Sequence, residues 1–300
     1  MAEHLDLELV DTLRVARNDS KPDGFLAAGS GLEVVGAHAY VVADDEARIA
    51  TFDVATGPPA RWISLTDEVL PSEHAERKAA KPDLEAVVAL PGDDGKLDLL
   101  LAVPSGSTGR RRRAFAFALD PSGAIIGPAT PVDMGPVFDR LAHDVGVPNV
   151  EGAVVLHDVV VLLARGVTGA NFVATLALCD VRDGVNGGAI EPASLDARAV
   201  DLGSIGHVPL GFTDGAVLDG VILFSAAAED TSNAYDDGDV LGSAIGRLEF
   251  GADRPASTWL LPAHAGKVEG IAITGSDLLL VTDDDNPHHP ARLFRTRIPS

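Results

Sequence analysis

Five carboxylates recur along the 300 residues, each at the head of a short apolar run: Glu33 in GLEVVG, Glu85 in DLEAVVAL, Glu151 in NVEGAVVL, Asp214 in FTDGAVL and Glu269 in KVEGIAI. They are 52, 66, 63 and 55 residues apart. Carboxylates gathered on one axis repel, so a cation neutralises them or some take up protons. Oxygen ligands of this kind suit Ca²⁺ or Mg²⁺, and a set that includes imidazole suits Zn²⁺, Mn²⁺ or Fe²⁺. Imidazoles are at hand: His74, His143, His207 and His264 precede four of the acids by 11, 8, 7 and 5 residues. Lys81 and Lys267 lie within four residues of Glu85 and Glu269. Downstream of each acid come more polar groups: Asp44 and Asp45, Ser105 through Arg113, Arg165 and Asn171, Glu229 through Asp239, and Asp283, Asp284 and Asp285.

Each signal also has a plain structural role. A carboxylate at a strand head can simply accept backbone N–H bonds and fix a turn, and loop histidines are commonly solvated. Asp283–Asp285 reads equally as a solvated turn, as do Arg110–Arg113 and the His288–His289 pair between two prolines. The acidic segment AEDTSNAYDDGD lacks the glycine and terminal glutamate spacing of an EF-hand. Cys179 is alone within the apolar ATLALC, which excludes an intramolecular disulfide and a cysteine zinc site and predicts a buried, inert thiol. Walker-type loops, strand–GxGxxG–helix units and GxSxG are absent.

The elements that must position these residues form a repeat. After each acid-headed run comes a second apolar run (AYVVAD, LDLLLAVP, VVVLLA, VILFSA, DLLLVTD) and then a third (ARIATFDV, RAFAFALD, FVATLALC, AIGRLEF, ARLFRTRI). Fourth runs follow in four units: RWISL, AIIGPATPV, ARAVDL and STWLL. Short β-branched runs punctuated by Gly, Pro, Asp and Asn mark strands. Four strands per unit on this period mark propeller blades. Helical patterning is nearly absent; Val137–His143 predicts one turn. The last unit ends one strand short, while residues 7–16 (LELVDTLRVA) form a strand without a unit. Adding that strand to the last blade closes the ring and removes two open edges. The expectation is an all-β, five-bladed β-propeller over residues 1–300 as a single domain, with six blades as the alternative should residues 1–30 hide a degenerate one. In such a fold the acids, the loops leading to them and the loops between second and third strands share one funnel.

Composition narrows the partners. Twenty-three basic against 45 acidic residues give a net charge of −22, which argues against a nucleic-acid partner. The N-terminus has no basic region followed by an apolar one, and the longest apolar stretch, 153–164, is interrupted and too short for a bilayer. A cytoplasmic, membrane-free protein acting on a small molecule is expected; oligomeric state is left open.

At VEGIAI…LLLVTDDD and DLEAVV…LLLAVPSGS the chain resembles the phytase-like or esterase-like bacterial β-propellers. The resemblance implies a propeller with a polar, metal-binding funnel and, for the phosphatases of that kind, calcium and a phosphate ester. Glu85, Glu151, Glu269 and Asp283–Asp284 match the motif; Asp214 departs from it by one methylene, and Glu33 lacks the following small residue. The leading expectation is a hydrolase of a phosphate ester or lactone with a divalent metal, Ca²⁺ first, held among Glu33, Glu85, Glu151, Asp214, Glu269, Asp283 and Asp284. In it, Glu85, Glu151 and Glu269 would take part in catalysis, His143 or His207 would move a proton, and Arg165 would hold an anionic group. A non-catalytic binding propeller and a metal-independent lyase or isomerase using Glu–His pairs are the alternatives.

Overall fold

Alternating apolar strands set the architecture in the computed structural model, which describes residues 5–15, 24–67, 70–71, 73–165, 170–230, 239–283 and 286–299. Strand β1 (Glu8–Thr12) comes first and blade 1 follows as β2 (Gly31–Val35), β3 (His38–Val42), β4 (Arg48–Asp53) and β5 (Gly57–Ser64). Helix α1 (His74–Ala80) leads into blade 2: β6 (Leu84–Pro91), β7 (Leu97–Pro104), β8 (Arg113–Leu119) and β9 (Ile125–Asp133). Helix α2 (Gly135–Val145) leads into blade 3: β10 (Val150–Leu156), β11 (Val159–Arg165), β12 (Asn171–Ala177), α3 (Leu178–Gly187) and β13 (Asp196–Val200). Blade 4 comprises β14 (Ser204–Ile205), β15 (Val208–Leu218), β16 (Val221–Asp230), β17 (Asp239–Glu249) and β18 (Ser257–Leu260). Blade 5 holds β19 (Val268–Thr274), β20 (Asp277–Thr282) and β21 (Arg292–Arg297).

Each blade is an antiparallel meander, and β1 completes the fifth in the order β1-β21-β20-β19. Glu8 pairs with Arg295 and Thr12 with Arg292. The protein is therefore a five-bladed β-propeller closed by its N-terminal strand, as the repeat predicts. The inner strands β2, β6, β10, β15 and β19 neighbour one another in that cyclic order. Their approach is close enough to require glycine. A Cβ on Gly152 would lie 2.9 Å from the Asp214 Cα, and one on Gly270 would lie 2.9 Å from the Leu32 nitrogen. Between each pair of adjacent blades sits an apolar cluster: Leu101 and Leu162 between blades 2 and 3, Leu163 and Phe224 between 3 and 4, Leu223 and Leu280 between 4 and 5, Leu26 and Leu279 between 5 and 1, and Ile49 and Leu100 between 1 and 2.

Helix content departs from the sequence reading. α2 runs for 11 residues rather than one turn, opened by a proline in its first turn, a position where the missing N–H costs nothing. Its buried Val137, Phe138 and Leu141 lie three and four residues apart, on one helical face. The expected end of the third strand in blade 3 is the start of α3 instead. Cys179 consequently falls in the first turn of a surface helix and is exposed, not buried. His288 and His289 are exposed in a turn, as expected. No helix among the described residues is long and apolar enough to cross a membrane.

Candidate functional site: three glutamates at the channel mouth

The inner strands carry a repeated irregularity that decides which side chains reach the mouth. In β6, β10 and β19 the strand register jumps across one residue, namely Glu85, Glu151 and Glu269. A bulge of this kind re-aims the extra residue out of the ladder. In β15 the jumped residue is Thr213, and Asp214 is the paired residue after it. In β2 there is no jump: Gly31 pairs with Val42, and Glu33 sits two residues further in, opposite Tyr40. The mouth position is thus occupied by Glu85, Glu151 and Glu269 in three blades and by the Thr213 hydroxyl in blade 4. Aligning the acids by sequence placed Asp214 one residue, and Glu33 two residues, from where the fold puts them.

Glu33 and Asp214 carry the plain role of strand-head acids. The Asp214 Oδ2 accepts the Leu32 N–H at 3.2 Å and the Ile271 N–H at 2.9 Å, tying blade 4 to blades 1 and 5 across the axis. Glu33 accepts the Val34 N–H at 2.9 Å and the Ala89 N–H at 3.1 Å, tying blade 1 to blade 2. Burial drives both carboxyls up against these N–H donors: Asp214 well above the carboxylate range and Glu33 to about 7.

At the mouth, one carboxylate oxygen from each of Glu85, Glu151 and Glu269 lies within 4.8 Å of the other two. Two chains of ion pairs converge on this triad. On one side the Lys81 ammonium bridges Asp44 and Asp83, the latter at 3.0 Å, and Arg111 reaches Asp83 at 2.9 Å. On the other, Arg165 contacts Glu151 at 2.6 Å and Glu229 at 3.3 Å, and Lys267 contacts Glu229 at 2.8 Å and Glu269 at 3.0 Å. The Asn149 amide also donates to Glu151. Glu85 joins the two chains but has no hydrogen bond or ion pair of its own among the described residues. A second group of acids, Asp44, Asp83 and Glu85, shares that carboxylate.

The electrostatics follow from this arrangement. Burial, with Asp83, Glu151 and Asp44 nearby, pushes the Glu85 carboxyl well above its ordinary value. Burial raises Glu151 to about 8 despite Arg165, and raises Glu269 despite Lys267. Glu229 is opposite: burial pushes it up, but Arg165 and Lys267 outweigh that and hold it at about 2. Asp83 adopts a left-handed backbone (φ 59°), an uncommon conformation for a non-glycine residue. There it accepts a hydrogen bond from the buried Ser105 hydroxyl at 2.5 Å. With all six carboxylates of both chains and Glu85 ionised (Asp44, Asp83, Glu85, Glu151, Glu229, Glu269), the four cations (Lys81, Arg111, Arg165, Lys267) would leave two negative charges, a charge that the upward shifts of Glu85 and Glu151 relieve by proton uptake.

The remaining expected residues scatter. His143 lies on α2 with its side chain 85% exposed and its Nδ1 2.8 Å from Asp144; His207 is 82% exposed, 3.9 Å from Asp230. Neither bonds to the triad. Arg165 is engaged by two carboxylates. Asp283 is half-buried at a bridge to Ala28 and belongs to neither acid cluster, while Asp284 lies outside the described residues. Sequence reading missed Asp83 and Asn149. A shared signal could have found them: both stand two residues before a mouth glutamate, as Lys267 does.

Comparison with known proteins adds the fold and a family. The crystal structure of Myxococcus xanthus glutaminyl cyclase is similar at a TM-score of 0.54 and 10% identity, covering 100% of both chains. A glycosyl hydrolase from Bacteroides ovatus is similar at 0.52 and 10% identity, covering 100% of this chain and 96% of that one. No curated protein matches the sequence. The profile of a protein family described only as of unknown function, DUF6929, matches residues 25–298. A propeller family is thereby supported; a phytase-like or esterase-like one is not.

Proposed function

The chain belongs to the DUF6929 family, and for it we propose an enzyme whose active site is the channel mouth, a metal-dependent hydrolase of a small polar ester, phosphate ester or lactone. Propellers host catalysts and binders alike, so the site must carry the reading. One observation does so: among the described residues Glu85 makes no hydrogen bond and no close ion pair, Lys81 attracting it only from a distance, while its oxygen lies within 4.8 Å of oxygens from Glu151 and Glu269. Two ionised carboxylates about 4–5 Å apart repel by roughly 3–4 kcal/mol at an effective dielectric near 20. A divalent cation held by Glu85, Glu151 and Glu269 would keep all three ionised and balance the two negative charges the mouth then carries. All-oxygen ligation suits Ca²⁺, Mg²⁺ or Mn²⁺ better than Zn²⁺. Such an ion, held by Glu85, Glu151 and Glu269, would supply Lewis-acid polarisation of a substrate carbonyl or phosphoryl oxygen. Arg165 and Lys267 hold Glu151 and Glu269 in place, and Asp83 and Asp44, held by Lys81 and Arg111, stand beside Glu85.

A metal-independent acid–base enzyme is the second reading, favoured by the lift of Glu151 to about 8, a value that suits proton transfer near neutrality. Metal analysis of the purified protein separates the two. The leading reading expects about one bound ion, a Tm lowered by chelator and restored by Ca²⁺ or Mn²⁺, and hydrolysis that Glu85→Gln abolishes. Hydrolysis indifferent to chelator would transfer the reading to acid–base catalysis.

A further inference from the structure

Resting on that hydrolase reading, we infer that the mouth acts on an uncharged ester or lactone and discriminates against phosphate monoesters. A phosphate dianion needs cations with unused capacity, most often a guanidinium fork or an ammonium. Every cation of the two ion-pair chains is already engaged. Lys81 lies between Asp44 and Asp83, Arg165 between Glu151 and Glu229, and Lys267 between Glu229 and Glu269. Arg111 is held by Asp83 and by the Ser107 hydroxyl at 3.2 Å. Elsewhere, Arg112 contacts Asp139 and the Gly135 carbonyl, and Arg292 the His264 and Ala265 carbonyls. Arg110 is exposed at its loop tip, where water screens a single charge.

With one divalent ion bound, six carboxylates and four cations make the mouth neutral. An arriving dianion would restore a charge of −2 among side chains that are mostly buried, while a neutral carbonyl oxygen approaching the ion restores none. In the hydrolysis, water adds to the carbonyl carbon and the C–O bond to the alkoxy oxygen breaks. That oxygen leaves with one of the water's protons, the other passes to solvent, and the acid product is released as a carboxylate.

Binding of inorganic phosphate, followed by calorimetry on Ca²⁺-loaded protein, tests the charge argument independently of turnover. The inference expects no binding at millimolar phosphate. It also expects Glu229→Gln, which removes the acid shared by Arg165 and Lys267, to raise phosphate affinity by about tenfold or more, the factor that one such step in free energy represents. Asp44→Asn, which releases Lys81 alone, is the second variant should the first fail to fold, and it should act in the same direction. Tight phosphate binding by the unaltered protein, or a phosphate monoester turned over faster than p-nitrophenyl acetate and δ-valerolactone, would overturn the inference while leaving a hydrolase. Phosphate excluded but neither neutral substrate cleaved, with or without Ca²⁺, would overturn the hydrolase reading and the inference with it.

Discussion

Substituting Glu85 by Gln takes away a carboxylate that no side chain among the described residues closely pairs, whereas substituting Lys267 by Met strands two that it does pair, Glu229 and Glu269. The two changes should therefore move stability in opposite directions. In chelator-treated protein at a pH high enough to ionise Glu85, Glu85→Gln is expected to stabilise by about 1–2 kcal/mol through relieved repulsion, and Lys267→Met to destabilise by about 3–5 kcal/mol through unpaired buried charge; urea denaturation reads both. Glu33 gives a pH signature. Its folded-state value of about 7 lies above the ordinary 4.5, so its contribution to stability is fully present below pH 4.5 and is lost as pH rises through 7. The loss amounts to at most about 3 kcal/mol. Glu33→Gln should flatten the fall in stability between pH 5 and 7 in Ca²⁺-saturated protein; an unchanged slope would contradict the assignment. At this scale the sequence revealed Glu85, Glu151 and Glu269 but could not separate them from Glu33 and Asp214. A bulge displaces a side chain by one position without leaving a mark in residue type.

Strands and their closure were far more legible. The second and third runs of each unit, apart from the end of the third run in blade 3, and the fourth runs of four units fall on observed strands because alternation and β-branching report burial directly. The N-terminal strand was found through an incomplete last unit. Its structural consequence lies at Leu13, fully buried just after β1, whose N–H donates to the Ala291 carbonyl at 2.8 Å. Leu13→Ala should cost about 2–5 kcal/mol, and deleting residues 1–12 should lower the stability of the whole ring by exposing the edge of β21. A deletion variant with unchanged urea midpoint would count against closure by β1. Helix α3 escaped prediction because its first residues continue the apolar run of β12; only Asp180, Arg182 and Asp183 break the alternation. Gly152→Ala tests the inner packing: the added methyl would meet the Asp214 backbone at 2.9 Å, so a loss of about 1–3 kcal/mol is expected.

Across the whole molecule, five interblade cores hold five inner strands around one axis, and Asp214 and Glu33 stitch those strands together along it. The rigidity of that frame lets three bulged glutamates meet at the mouth although 66 and 118 residues separate them in the chain. A net charge of −22 gives the surroundings a field that gathers cations. Titration of Ca²⁺ into chelator-stripped protein by calorimetry, run beside Glu85→Gln and Glu151→Gln, tests this account most directly. One ion per chain in the unaltered protein, with affinity lost in both variants and their far-ultraviolet spectra unchanged, is the predicted result. An unaltered protein that takes up neither Ca²⁺ nor Mn²⁺, or variants that bind as well as it does, would contradict it.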